Sequence, residues 1–355
     1  MKKTIALIDC SIPINSRNQK IINSIKENFP NSDIHVITWN REGLSLAKES
    51  NLHVYNHIAA YADAKAKVLG MFGFKKFIKA TLNEIHADII IASHWSNLIL
   101  VVGTKQKDQT IIYENLDIPT GGFLVRKISQ IAEKWALRKV DLIIHASRFF
   151  KTLYSDSIPQ IVIENKPAFT TNFSNEKIKH PLRISFIGSI RYKEILTNLV
   201  EAVKNDKRYQ LYFHGSGEDL NYMRSYCSNI KNVFFTGKYL YENVTQLYHN
   251  SDVVWAAYPN KDFNVVYAIS NKFHESLYVG IPCIYSDQTK LAELVKEKNI
   301  GFVVNPYDIS SIKNLFSNIY DGTVNMEEIK ENMKKFHEKE TTWETDFQKL
   351  KSYLE

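Results

Sequence analysis

The sequence predicts an α/β protein built from two tandem, Rossmann-like doubly wound domains, and three observations carry that prediction. Short apolar runs alternate with longer helical patterns along most of the chain, the pattern of parallel strands covered by helices on both faces. The alternation is interrupted once, by a polar stretch from Thr170 to His180 that reads as a linker. A length of 355 residues suffices for two separate cores.

In the first half, Thr4–Ile8 reads as a strand and Lys20–Asn28 as a helix with Ile21, Ile22 and Ile25 on one face. Ile34–Trp39 is a second strand. Ala87–Ser93 is another, followed by a helix through Val101, and Thr110–Tyr113 follows it. Ile128–Arg138 reads as a helix, Leu142–His145 as a strand and Gln160–Ile163 as a short strand. The second half repeats the theme, with strands at Arg183–Ile187, Tyr209–Phe213, Val233–Phe235, Val253–Ala256, Cys283–Ser286 and Gly301–Val304. Between them lie helices at Glu194–Val203, Leu220–Cys227, Val244–His249 and Lys290–Lys298, and one opened by Ser270 and Asn271. A last helix opens at Thr342-Trp343-Glu344 and runs to Leu354. The expected division is 1–165, 166–335 and a C-terminal helix over 336–355 that returns to the first domain, with a cleft between the two domains.

Composition narrows the function classes. Hydrophobic residues at 44% and charged residues at 23% are ordinary for a soluble globular protein. The net charge of +7 suits an anionic partner. Cys10, Cys227 and Cys283 have no paired spacing and no Cys–His metal signature accompanies them, which suits a reducing cytoplasmic setting. Met1-Lys-Lys-Thr4 leads into a strand and not a signal peptide, and no stretch approaches the ~20 apolar residues of a membrane span. Two basic segments, Tyr61–Lys79 with its Phe, Met and Leu residues and the cluster Arg126, Lys127, Lys134, Arg138 and Lys139, suit a peripheral anionic membrane surface or a solvated face. Neither carries a nucleic-acid motif.

Ligands of doubly wound sheets bind beyond the carboxyl ends of the strands. In the first half those ends carry Asn15-Ser16-Arg17, then Ser93-His94-Trp95, then Tyr113-Glu114-Asn115-Leu116-Asp117. In the second half they carry Gly188 with Arg191 and Lys193, the turn His214-Gly215-Ser-Gly217, and Gly237-Lys238. Glycine permits a close backbone approach and Arg and Lys pair with phosphate. The helix starting at Ser270-Asn271-Lys272 offers N–H groups and a positive dipole end to an anion, with Glu275 four residues after Asn271 on the same face. A carboxylate beside an anion site suits a ribose next to a diphosphate. The full dinucleotide fingerprint, a Walker loop and any Asp-x-Asp are absent from the sequence.

The blocks Phe186-Ile-Gly-Ser-Ile190, Tyr212-Phe-His-Gly-Ser-Gly217, Phe235-Thr-Gly-Lys-Tyr239, Leu247-Tyr-His-Asn-Ser-Asp252 and Ser270–Pro282 together resemble the GT-B glycosyltransferases, in particular their family 4-like group of bacterial surface-polysaccharide enzymes. The resemblance implies a GT-B fold and a nucleotide-diphosphate sugar as donor, UDP-sugar above all, with no further cofactor and no metal. It further implies a saccharide or lipid-linked acceptor. Donor binding then falls to Gly188, Arg191, Lys193, Gly215, Lys238, Ser270, Asn271, Lys272 and Glu275, with Glu275 on the ribose. Catalysis falls to Asp117, with Glu114 and His94 in reserve, and Asn15 and Arg17 stand on the acceptor side. The chain also departs from the family. Tyr267 stands where a first Glu is usual, Leu116 where a His precedes the Asp, Ser189 and Glu194 near the places of an Arg and a Lys, and Asn15-Ser16-Arg17 replaces a glycine-rich loop. A sugar-nucleotide epimerase on the same fold and a non-catalytic GT-B-like subunit are the alternative readings.

Overall fold

The computed structural model describes residues 2–45, 49–59, 64–169, 173, 178 and 180–355, the side chains of 64, 65, 67 and 68 excepted. Most of the expected linker between Thr170 and His180, and Tyr61 to Asp63 of the first basic segment, lie outside them. The chain divides into two compact units, Met1–Asn165 with Thr342–Glu355, and Lys166–Thr341.

The first unit is built on strands β1 (Thr4–Asp9), β2 (Asp33–Asn40), β3 (Leu52–Asn56), β4 (Ile89–Ser93), β5 (Thr110–Asn115), β6 (Leu142–His145) and β7 (Gln160–Val162). They pair in parallel in the order β3-β2-β1-β4-β5-β6-β7. Helices α1 (Ser16–Asn28), α2 (Ala64–Glu84), α3 (Trp95–Val102) and α4 (Phe123–Leu137) connect them. The central strands read Ile-Ala-Leu-Ile, Ile-Ile-Ile and Ile-Ile because both faces of a parallel sheet are covered, and Ile5, Leu7, Ile91, Ile112 and Ile144 are fully buried.

The second unit carries β8 (Leu182–Ile187), β9 (Tyr209–His214), β10 (Val233–Gly237), β11 (Val253–Trp255), β12 (Cys283–Ser286) and β13 (Phe302–Val304), parallel in the order β10-β9-β8-β11-β12-β13. Its helices are α5 (Lys193–Val203), α6 (Leu220–Tyr226), α7 (Val244–His249), α8 (Phe263–Tyr267), α9 (Asn271–Val279), α10 (Lys290–Lys298), α11 (Ile309–Tyr320) and α12 (Met326–His337).

Both orders contain a topological switch. In the first unit the chain winds one way from β1 and restarts at β4, and in the second it winds away from β8 and restarts at β11. The connections diverge there and leave a crevice at the carboxyl edge. Both candidate sites sit at these switches.

Several boundaries differ from the sequence reading for identifiable reasons. The first helix starts at Ser16, not Lys20, because the Asn15 side chain accepts the Asn18 N–H at 2.9 Å and caps it. Strand β3 and helices α8, α11 and α12 have no counterpart in the sequence reading; the burial of β3 is partial throughout, so it lacks the apolar run that marks a central strand. The helix beginning at Trp343 is interrupted: α13 (Trp343–Phe347) passes through a 3₁₀ turn at Gln348–Leu350 into α14 (Lys351–Leu354). Residues 336–341, expected with this last segment, lie in the second unit. Trp343, Phe347, Leu350 and Leu354 pack with Ile21, Ile22 and Ile25 of α1 in one core cluster, and the Trp343 indole N–H donates to Ser24 Oγ at 2.9 Å.

Candidate active site

At the switch of the second unit, the turn after β8 and the turn after β9 are pressed together. Gly188 N–H donates to His214 O at 2.8 Å, and Gly215 N–H to Gly237 O at 2.7 Å. Gly188 and Gly215 have φ of 135° and 131°, and a Cβ on Gly215 would lie 2.0 Å from the Gly188 carbonyl oxygen. The missing side chain of Gly215 thus admits the neighbouring loop, which holds Gly188 at the strand end.

Helix α9 points its start at the same place. Ser270 caps it, its hydroxyl accepting the Lys272 N–H at 3.2 Å. The Lys272 N–H is therefore already engaged, and the side chain of Lys272 brings the charge. Its Nζ donates to the Tyr258 hydroxyl at 2.7 Å and sits 3.2 Å from where a Gly188 Cβ would be. Lys272 is 7% exposed. Burial disfavours its charge, but Tyr258 and Glu275 outweigh burial and its pKa lies above the ordinary lysine value. Burial raises the Tyr258 phenol, yet the Lys272 cation outweighs it and the pKa lies below the usual tyrosine value. An ammonium is thereby kept charged against an open glycine turn.

One turn along α9, Glu275 is held by two phenols. The Tyr248 hydroxyl donates to it at 2.9 Å and the Tyr241 hydroxyl at 3.2 Å. Burial and the Glu275 carboxylate both push the Tyr248 and Tyr241 phenols up, so they stay protonated donors. A carboxylate has about four lone-pair sites, so two remain for ligand hydroxyls.

Arg191 and Lys193 are exposed. The Arg191 guanidinium lies 4.8 Å from the Tyr192 ring centroid, and Tyr192 meets Tyr258 edge-on at 6.1 Å, so Arg191 joins the Lys272–Tyr258 group through stacking. Lys193 Nζ instead lies 5.3 Å from the Tyr222 ring centroid on α6, and its backbone N–H donates to the Asp219 carboxylate at 3.0 Å. Lys238 is exposed just beyond β10, while Asn271 opens α9. Tyr267 closes the short helix α8 with its ring 5.3 Å from Phe263.

In the first unit, the switch between β1 and β4 is underpinned by a buried polar chain. Asp9 accepts from Asn15 Nδ2 at 2.9 Å and Asn18 Nδ2 at 2.8 Å. Asn18 Oδ1 accepts from Ser93 Oγ at 2.9 Å, Ser93 bonds Glu114, and Glu114 pairs with Arg17 Nε at 2.7 Å. Arg17 also stacks 5.6 Å from the Trp343 ring centroid. Glu114 is fully buried and Arg17 is 5% exposed. Glu114 stands beneath the sheet edge as a buried ion-pair partner, and its pKa is raised by burial against the pull of Arg17. Asn15 caps α1, and Arg17 pairs with Glu114 through Nε while its two terminal guanidinium nitrogens are buried without a hydrogen-bond partner among the described residues.

At that edge stand His94, half-buried, and Asp117, exposed. His94 caps α3 at φ 77°, an uncommon conformation for a residue with a side chain, with Nδ1 3.0 Å from Ser96 Oγ. Burial lowers its pKa below the ordinary value, against the opposing fields of Asp117 and Asp9, so the imidazole is neutral near pH 7. Asp117 is exposed two residues beyond β5.

Sequence reasoning missed Tyr241, Tyr248 and Tyr258. Tyr248 and Tyr241 precede Glu275 by 27 and 34 residues and no local spacing links them. Tyr258 was within reach, because it follows the β11 end of the switch.

Residues 169–336 match the family described as Glycosyl transferases group 1. None of the curated proteins compared matches the chain. Among solved structures, the sucrose-phosphate synthase of Thermosynechococcus elongatus is similar at a TM-score of 0.76 and 14% identity, over 99% of this chain and 98% of that one. Anabaena HepE in complex with UDP-glucose is similar at 0.72 and 15% identity, over 99% of both chains. A glycosyltransferase from Rickettsia africae is similar at 0.67 and 12% identity, over 99% and 98%. The chain accordingly has the GT-B fold of these structures, and its residues 169–336 match the glycosyl transferases group 1 family.

Proposed function

We propose that the chain transfers a hexose from a nucleotide-diphosphate sugar, a UDP-sugar in particular, to a hydroxyl of a lipid-linked saccharide at the inner face of the plasma membrane, in the assembly of a surface polysaccharide. The observation that carries the donor reading is the pairing, one turn apart on α9, of a charged Lys272 set against Gly188 with a Glu275 held by two phenols. The ammonium and helix start suit a diphosphate, and the carboxylate suits ribose hydroxyls. HepE, similar in fold, is described in complex with UDP-glucose, which favours uridine as the base.

When the sugar C1–O bond breaks, negative charge grows on the diphosphate. Lys272, with Arg191 beside it, stabilises that charge in place, with little reorganisation during the step. Asp117 orients the acceptor hydroxyl or takes its proton, and neutral His94 is the second candidate. Tyr267, placed on α8 where relatives carry a carboxylate, is the residue that sets which sugar is accepted.

A thermal-shift screen of nucleoside diphosphates and their sugars tests the reading, since a ligand bound only by the folded state raises its apparent stability. Stabilisation by UDP or a UDP-sugar is the expected outcome; a flat response to every nucleotide would favour a non-catalytic subunit. Product analysis with acceptor omitted separates transfer from epimerisation, which consumes the donor alone.

A further inference from the structure

The outward face of α4 takes no part in the site above and is built the wrong way round for an ordinary surface helix. Its packed side holds Ser129, Glu133 and Ala136. Glu133 is engaged there, accepting from the Tyr113 hydroxyl at 2.8 Å and the Tyr154 hydroxyl at 2.7 Å. The outer side carries Phe123, Leu124, Val125, Ile128, Ile131 and Trp135, which are 50–69% exposed. A surface helix normally turns its apolar stripe to the core and its charges to water. Leu124, Ile128, Ile131 and Trp135 follow helical spacing and form one stripe.

The charges around the stripe have one sign. Lys127, Lys134 and Arg138 are exposed, whereas Glu133, the one acidic residue of α4, is buried. Lys127 Nζ lies 6.0 Å from the Phe123 ring centroid and Lys139 Nζ 5.9 Å from that of Trp135, so cations flank both ends of the stripe. We propose that α4 is a docking surface for an anionic lipid bilayer, lying in the interface with its apolar stripe among the acyl chains and its cations at the headgroups. A second copy of the chain fits this face poorly, because a twofold pairing of α4 with itself sets cations against cations. The helix begins six residues after Asp117, at the carboxyl edge of the sheet. Docking would therefore bring that edge to the headgroup level. The inference rests on the proposed lipid-linked acceptor for its purpose, but not for its test, which needs no sugar transfer.

The test is co-sedimentation of the full chain with phosphatidylcholine vesicles, with and without phosphatidylserine. The expected result is phosphatidylserine-dependent binding that weakens as salt is raised. Replacing Ile128 and Ile131 together by serine should lower the vesicle partition coefficient about tenfold or more, and Lys127→Glu with Lys134→Glu should do the same. Circular dichroism and an unaltered nucleotide thermal shift establish that the variants are folded. Absence of phosphatidylserine-dependent binding, or serine variants that bind like the parent, would overturn the proposal. So would a dimeric parent that the serine variant converts to a monomer, since the stripe would then be a self-interface. Loss of turnover with vesicle binding intact would instead count against the transfer reading alone.

Discussion

Glu275→Ala removes the carboxylate that accepts from Tyr248 at 2.9 Å and Tyr241 at 3.2 Å, and so disturbs both a stability term and a binding term. The stability term comes from Tyr248, which is fully buried and loses its acceptor. A buried donor left unsatisfied costs about 1–3 kcal/mol, or roughly 2–4 °C in Tm per kcal/mol for a domain of this size. The binding term comes from the proposed contact of Glu275 with the ribose. Hydrogen bonds to a charged group contribute about 1.5–3 kcal/mol, so losing the ribose contact should weaken nucleoside-diphosphate affinity by about ten- to a hundredfold. Titration calorimetry with UDP reads the second term and thermal denaturation without ligand reads the first. Glu275→Gln separates them, because the amide oxygen still accepts from one tyrosine while its NH₂ is a donor where the ligand hydroxyls also donate. A lowered Tm with unchanged UDP affinity in both variants would refute the ribose assignment and leave Glu275 as an anchor for the two tyrosines.

Lys272→Met should cut UDP affinity by about tenfold or more while leaving uridine binding unchanged; equal losses for both ligands would place the ammonium elsewhere than at the diphosphate. For Asp117→Asn, turnover should fall about a hundredfold or more with UDP affinity intact, and a rate like the parent's would remove Asp117 from the chemistry. Gly215→Ala sets a Cβ 2.0 Å from the Gly188 carbonyl oxygen at a φ of 131°, which should cost roughly 2 kcal/mol or more; a midpoint in urea equal to the parent's would contradict this close approach. Burial holds His145 down at about 4, below its usual 6.5. The unfolded chain therefore binds the proton first, and up to about 3 kcal/mol of stability, complete above pH 6.5, should be lost as pH falls towards 4. His145→Gln should flatten that slope, and an unchanged slope in urea titrations would show that other groups produce it.

Legibility followed the range of the interactions. The central strands were readable because burial on both faces demands unbroken β-branched runs, as in Ile89-Ile-Ile91 and Ile111-Ile112. The start of α9 was readable because a cap and the residues it serves are adjacent: Ser270, Asn271 and Lys272 stand where the sequence reading put them. Strand β3 was not, because Leu52-His-Val-Tyr-Asn56 interleaves polar residues with its apolar ones and offers no consecutive aliphatic run.

The roles of the polar residues divide along the same line. Sequence by itself determined which strand ends carry chemistry-bearing side chains, and hence that Gly188, Lys272, Glu275, His94 and Asp117 come to the carboxyl edges of two parallel sheets. Only the tertiary structure decided what each finds there. Glu114 and Arg17 are 97 residues apart and meet as a buried pair, Glu275 meets phenols from 27 and 34 residues away, and Glu133 turns inward to Tyr113 and Tyr154 while its helix shows isoleucines to water. The reason is physical. Caps, turns and periodicity act over a few residues and are written in the local sequence, whereas the partner of a buried polar group is chosen by desolvation, and any distant donor or acceptor that the packed sheet brings within reach can supply it.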